Sequence, residues 1–397
     1  MRYHRGVARV RTGLVRLLEH PELIGGRRWA LLANQAAVTP GLVPAREALL
    51  ATGCGPLVRL FAPEHGLDGV AQDMEAVGDE IDPLTGVPVI SLYGDSEETL
   101  VPSEEDLEDV DVLVVDLPDI GARHYTFAAT MVLAMDPCLA VGTEMIVLDR
   151  PNPITGGHRE GGLVHDGFRS FVSLLNMPVR HGLTLGELAL AWHGTHCPAL
   201  HMTVVRCEGW RRNQWWDETG LPWVPPSPNM PTPETALLYP GLCLVEATTL
   251  SEGRGTTRPF HLVGAPGIDP FELAGVLRRL DLPGLGFRPA RFRPEFGKHA
   301  GAVCGGVEIH VLDREAVRPV EAGVLLLATI RERFPGAFGW RPDPYEFVTD
   351  VPAIDLLTGS DAVRRVLDGD GLLEPVLEGW RREVASFEAT LGTLLYR

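Results

Sequence analysis

Over the first 150 residues, short apolar runs alternate with stretches whose apolar residues recur at helical spacing. Runs at 30–33, 57–61, 88–92, 111–116 and 147–149 are nearly all apolar. That pattern predicts strands buried on both faces of a parallel sheet. Helical spacing appears at 5–18, where Val7, Val10, Leu14, Leu17 and Leu18 share a face, near 43–52, and across 125–139. Regular strand–helix alternation implies a right-handed, Rossmann-like parallel α/β sheet. No G-x-G-x-x-G follows the first strand, so a dinucleotide site is not expected.

Beyond residue 150 the periodicity loosens. Stretches 151–183 and 217–235 are rich in Pro, Gly, Asn and His and predict functional loops or lids. A helix at 184–196 and a strand at 204–207 lie between them. From about Gly264, helices near 271–280, 320–333, 360–368 and 372–394 surround a strand at 306–312. These predict a second, smaller C-terminal α/β domain. The boundary is set at the turn Gly264-Ala265-Pro266-Gly267, giving a Rossmann-like catalytic domain over 1–265 and a cleft-closing domain over 266–397. A chain of 397 residues exceeds one typical core, in keeping with two domains.

Composition narrows the function classes. A formal charge of −18 without any basic run argues against nucleic-acid binding. Lys298 is the only lysine, so a lysine Schiff base has nowhere else to form. Cys54, Cys138, Cys197, Cys207, Cys243 and Cys304 stand far apart, with neither zinc-site spacing nor a disulfide framework. The basic N-terminus lacks the apolar stretch of a signal peptide, and no run approaches the ~18 apolar residues of a membrane span. A cytoplasmic protein is expected, with monomer and homo-oligomer both open.

The strand-like runs end in residues able to do chemistry: Asn34-Gln35, Glu64-His65-Gly66, Tyr93-Gly94, Asp116 and Asp149-Arg150. Open parallel sheets bind ligands beyond their strands' carboxyl ends, so these endings outline an active-site rim. In Pro63-Glu64-His65-Gly66, a carboxyl group at a strand end, partly buried, suits general-acid work. The same Glu could simply cap the next loop or pair with an Arg.

The segment Asp116 to Thr126 places two acids, Arg123, His124 and Tyr125 in one turn. Asp119 reads as structural, whereas Arg123 matches a carboxylate bidentately and Tyr125 offers a ring and a hydroxyl. Two prolines fix Arg150 and Asn152 in Asp149-Arg150-Pro151-Asn152-Pro153. Arg180-His181-Gly182 precedes a capping box, Thr184 to Glu187, that makes Glu187 structural. His181 is either a base or a satisfied structural histidine. Asn229 sits in a stiff, proline-rich loop ahead of Thr232-Pro233, an N-cap with Pro at the first helical position. Glu246, Glu252 and Arg254 share a glycine-flanked region without the P-loop ending. No H-E-x-x-H or G-x-S-x-G occurs, so neither a metal, a cofactor nor a serine nucleophile is expected.

Taken in order, these motifs resemble the exo-β-N-acetylmuramidase family of bacterial cell-wall hydrolases, formerly a domain of unknown function. The matches include Phe61 to Gly66, Ser91 to Gly94, Asp119 to Thr126, Val147 to Pro153, Arg180 to Gly182, Pro226 to Thr232, Tyr239 to Gly241 and Ser251 to Thr257. Pro118 and Thr249 depart from the family's usual Gln and Asn. The resemblance implies a site between the two domains and release of N-acetylmuramic acid from the non-reducing end of peptidoglycan fragments. It implies Glu64 as catalytic acid; from the chemistry of glycoside cleavage His65 is a candidate to tune that acid, and Glu252, Glu246, Asp116, Asp119 or the substrate's own 2-acetamido group is the candidate second catalytic group. Asn34, Gln35, Tyr93, Arg123, Tyr125, Arg150, Asn152, Arg180, His181, Asn229, Glu246 and Arg254 become candidate substrate contacts. The expected partner is a muropeptide or disaccharide. Two competing readings are a muropeptide sensor without turnover and a metal-dependent hydrolase of another substrate.

Overall fold

The structure, a computed structural model, describes residues 10–397. Seven strands form the larger sheet: β1 Trp29–Ala33, β2 Leu57–Ala62, β3 Glu80–Ile81, β4 Pro88–Ser91, β5 Val112–Asp116, β6 Glu144–Leu148 and β7 Met202–Val205. Their order is β3-β4-β2-β1-β5-β6-β7. Every pairing is parallel except β3 with β4. Every residue of β1 and β5 is buried, which explains their unbroken apolar sequence: helices cover both faces. The order reverses at β1, so the loops after β1 and β2 and those after β5 and β6 diverge above it.

The second sheet is antiparallel, β8-β10-β9, from β8 Leu262–Ala265, β9 Leu285–Phe292 and β10 Cys304–Val311. Only β10 was expected from periodicity. Arg288, Pro289 and Arg291 obscure the apolar pattern of β9, and Gly264 shortens that of β8. β8 precedes Pro266 in the chain yet belongs to this second sheet.

Helix bounds differ from expectation at chemically sensible points. The opening helix runs Gly13–Glu19 with Thr12 as N-cap; positions 5–9 of the expected helix lie outside the described residues. The helix expected over 125–139 is two, Phe127–Leu133 and Met135–Val141, meeting at Ala134. Pro137 lies in the first turn of the second, where its missing N–H costs nothing. The Thr184–Glu187 capping box forms at the start of Leu185–His196. Thr232 caps Pro233–Leu242.

Two glycines fix how two helices cross. The helix Pro319–Arg333 passes so close to Pro233–Leu242 that a Cβ on Gly241 would stand 1.7 Å from the Pro319 carbonyl oxygen. Gly323 faces the Gly241 backbone just as tightly. Gly241→Ala must push the helices apart, and overpacking of this kind typically costs about 1–3 kcal/mol. A lowered thermal midpoint, with the far-UV helical signal kept, is the expected result. An unchanged midpoint would refute the contact.

Candidate active site

Glu64 follows β2, and His65, with φ +73°, turns the chain back immediately after it. The Glu64 carboxylate is buried, accepting from Thr126 Oγ1 at 2.7 Å and, weakly, from the Met74 N–H at 3.4 Å. His65 Nδ1 donates to the Ala71 carbonyl at 2.9 Å, which fixes the loop, and His65 lines the pocket around Glu64.

Around Glu64 lies an inner pocket of about 30 Å³, lined also by Asp73, Tyr125, Glu246, Arg254 and Glu346. That volume holds one or two waters. Glu346 comes from the C-terminal half and accepts from Tyr93 Oη at 2.9 Å. Burial, and then the charge of Glu64, push its carboxyl well above the usual carboxylate range despite that hydrogen bond. Four carboxyl groups therefore face one small, poorly solvated space, which favours the protonated form of Glu346.

Backbone strain gathers here as well. Nine non-glycine residues have left-handed φ among those described; His65, Phe260 and Glu346 line the pocket, and Met74 and Phe347 flank it. Residues held in sparsely populated conformations cluster at sites where the surroundings over-determine them.

Beyond Asp73, Glu246 and Arg254, which both spaces share, opens an outer pocket of about 580 Å³. Arg254 bridges Glu246 (2.7 Å), Asp73 (3.2 Å) and Glu252 (3.5 Å) while lying over the Phe260 ring. Tyr345 Oη donates to the other Glu246 oxygen at 2.8 Å. Burial works to raise Glu252, but Lys298 at 3.1 Å and then Arg254 outweigh it and hold its carboxyl below the usual range. Glu252 thus stays ionised and anchors two cations, a poor arrangement for a proton donor. Arg341 also lines the outer pocket, its guanidinium over the Tyr345 ring and without an acidic partner among the described residues.

Several expected rim residues point elsewhere. Arg123 is buried and donates to the carbonyls of Gly162, Met177 and Leu357, and burial pushes it down to about 9. Arg180 is fully buried, donates to the Ile154 carbonyl and lies near the Trp215 ring. His181 accepts from the Leu183 N–H and sits 3.4 Å from Asp119. Asn152 ties Leu183 to Ile154. Arg150 forms a two-bond ion pair with Asp116, at 2.5 and 2.8 Å. None of these five lines the inner or outer pocket; all hold the loops that do.

Asn34 and Gln35 donate to the carbonyls of Pro226 and Pro225. They hold the stiff loop whose Ser227 and Asn229 line the inner pocket. Of the expected contacts, Tyr125, Asn229, Glu246 and Arg254 line it directly, and Tyr93 reaches it through Glu346. The sequence reading did not single out Asp73, Tyr345, Glu346 or Arg341. The tetrapeptide Pro344-Tyr345-Glu346-Phe347, an aromatic-flanked acid in an aperiodic stretch, was their one available signal. Among the described residues, no group of three His, Cys, Asp or Glu could hold a metal ion, and no helix is long and apolar enough to cross a membrane.

Comparison with known proteins bears on this geometry. The family described as "Exo-beta-N-acetylmuramidase NamZ, N-terminal" matches residues 29–234, and its C-terminal counterpart matches 237–396. Peptidoglycan beta-N-acetylmuramidase NamZ of Bacillus subtilis (strain 168) is 39% identical over 383 residues, covering 96% of this chain and 90% of that protein. Two crystal structures of DUF1343 family proteins from Bacteroides fragilis NCTC 9343 are also similar. One gives a TM-score of 0.86 at 33% identity, the other 0.76 at 28%; each covers 98% of this chain and 99% of its own.

Proposed function

This chain belongs to the exo-β-N-acetylmuramidase NamZ family, and on that premise we propose that it is a glycosidase removing terminal N-acetylmuramic acid from the non-reducing ends of peptidoglycan glycans. Glu64 is the general acid. The observation that carries this reading is the sharing of one nearly dry pocket by Glu64 and Glu346. Like charges in such a space oppose a second ionisation: burial and the charge of Glu64 raise the Glu346 carboxyl and favour keeping a proton in the pocket. A retained proton is what departure of a glycosidic oxygen requires.

The arriving sugar first fills the outer pocket, where Arg341 is the guanidinium free to take its lactyl carboxylate. The ring reaches Glu64 as the segment Tyr345 to Phe347 yields, a movement that releases the left-handed strain at Glu346 and Phe347. Asp73 and Glu246, which share the pocket with Glu64, are the further carboxyl groups placed to face a developing oxocarbenium charge. The deciding experiment is incubation with a peptide-free glycan followed by mass analysis of the products. Free N-acetylmuramic acid as the first product is expected; larger fragments, or none, would reject the proposal.

Glu346 supplies a pH test. Its carboxyl is raised on folding, so the native state must bind a proton that the unfolded chain gives up in the ordinary Glu range. Stability is full below that range and falls as pH rises towards the folded value. Glu346→Gln mimics the protonated form and removes this penalty. The variant should gain thermal stability over wild type at pH 8 but not at pH 4. Equal stability differences at both pH values would remove Glu346 from the pair.

A further inference from the structure

Beside the outer pocket lies a third space, of about 520 Å³, lined by Arg258, Arg288, Arg291 and Arg293 and by only two acids, Glu295 and Glu308. Four guanidinium groups against two carboxylates leave a positive surplus, on a chain whose overall charge is −18. Glu308 is taken up by Arg258, at 3.2 Å, and by Arg288 across the β9–β10 pair. Arg291 and Arg293 are exposed and have no acidic partner among the described residues.

This pocket continues the active-site cleft. The same two segments line both spaces in turn: Glu252 and Arg254 face the outer pocket and Gly255 to Arg258 the arginine pocket. Phe296 to His299 likewise face the outer pocket, and Phe292, Arg293 and Glu295 the other. The segments are stitched by the Glu295 N–H donating to the Gly255 carbonyl at 2.8 Å. A Cβ on Gly255 would stand 2.5 Å from the Phe296 carbonyl oxygen, so their contact requires that glycine. Phe296, which lines the outer pocket and follows Glu295 of the arginine pocket, is 42% exposed.

We propose that the arginine pocket is a subsite for the lactyl carboxylate of a second muramic acid in the leaving glycan chain. The inference rests on the muramidase reading and adds a preference to it. Along such a chain, carboxylate-bearing sugars alternate with neutral ones. The cleft offers that order: Arg341 in the outer pocket, apolar Phe296, then the arginine pocket. An aromatic face suits the apolar side of a neutral sugar, and paired guanidiniums suit a carboxylate. A stem peptide would branch from the cleaved sugar instead of following the groove.

The test compares kcat/KM for a peptide-free tetrasaccharide containing two muramic acids with that for the disaccharide, in wild type and in Arg291→Glu/Arg293→Glu. Wild type should prefer the tetrasaccharide by roughly tenfold or more, the worth of one charge-assisted contact. The charge reversal should abolish that preference, high salt should weaken it, and Arg291→Lys/Arg293→Lys should keep part of it. Equal use of both substrates by wild type, a preference untouched by charge reversal, or one that appears only on peptide-bearing chains would overturn the proposal. A wild-type enzyme that cleaves neither substrate would fail the muramidase reading itself.

Discussion

Glu64→Gln is expected to lower the release of N-acetylmuramic acid from a chromogenic muramide by about 10²–10⁴-fold, the usual worth of a general acid. The fold should survive, because the glutamine oxygen can still accept from Thr126 while that hydroxyl turns to suit the amide. Substrate binding should change little, so the loss falls on kcat and not on KM. The variant also removes the second cause of the raised Glu346 carboxyl, which should then titrate lower. A variant with near-normal turnover would reject Glu64 as the acid. A variant that is inactive because it unfolds would show itself in a lowered thermal midpoint, separating the two explanations.

Glu64 could be singled out from sequence because three local signals coincide at one strand end: a Pro before it, a Gly after the next residue, and an apolar run leading in. The strand ends themselves were legible for the same reason, since a buried parallel strand must be apolar until it leaves the sheet. What a strand end does not reveal is which way its side chain points. Asp116 closes β5 and Asp149 follows β6 as expected, yet both are fully buried: Asp116 pairs with the Arg150 guanidinium, and Asp149 accepts from the Arg150 and Gly186 N–H groups. Asp149 gathers the Thr184 hydroxyl, the Gly186 N–H and the Tyr396 hydroxyl, tying the last turn of the chain to the first domain.

The arginines show the same limit. A guanidinium in a polar turn reads as a carboxylate clamp, but Arg123 spends its donors on three carbonyls, bonds that no local pattern announces. The partner carboxyl was hidden for a different reason. Glu346 lies 282 positions after Glu64 and comes to share its pocket only through tertiary packing. Contacts made across that distance depend on packing, and packing leaves its trace in small residues such as Gly241 more than in the catalytic residues themselves.

Asp116→Ala should be among the most damaging substitutions for stability, with a loss of about 3–5 kcal/mol. Asp116 is fully buried and its two oxygens meet Arg150 Nε and Nη2 at 2.5 and 2.8 Å. Removing the acid leaves a guanidinium in the protein interior with only the Val38 carbonyl, at 3.3 Å, to receive it. Desolvation of an unpaired charge is the dominant cost, so the remedy is to remove the charge as well. Adding Arg150→Met to Asp116→Leu should restore much of the loss, because apolar pairs of similar volume often replace a buried ion pair at little cost. Urea unfolding of the single and double variants measures both quantities. The comparison also decides what Arg150 does. If it binds substrate, Arg150→Met raises KM while the urea midpoint stays put. If it braces the loops after β5 and β6, the midpoint falls first and the double variant recovers it, because the loops carrying Tyr125 and Thr126 to the inner pocket are then held by packing instead of by charge.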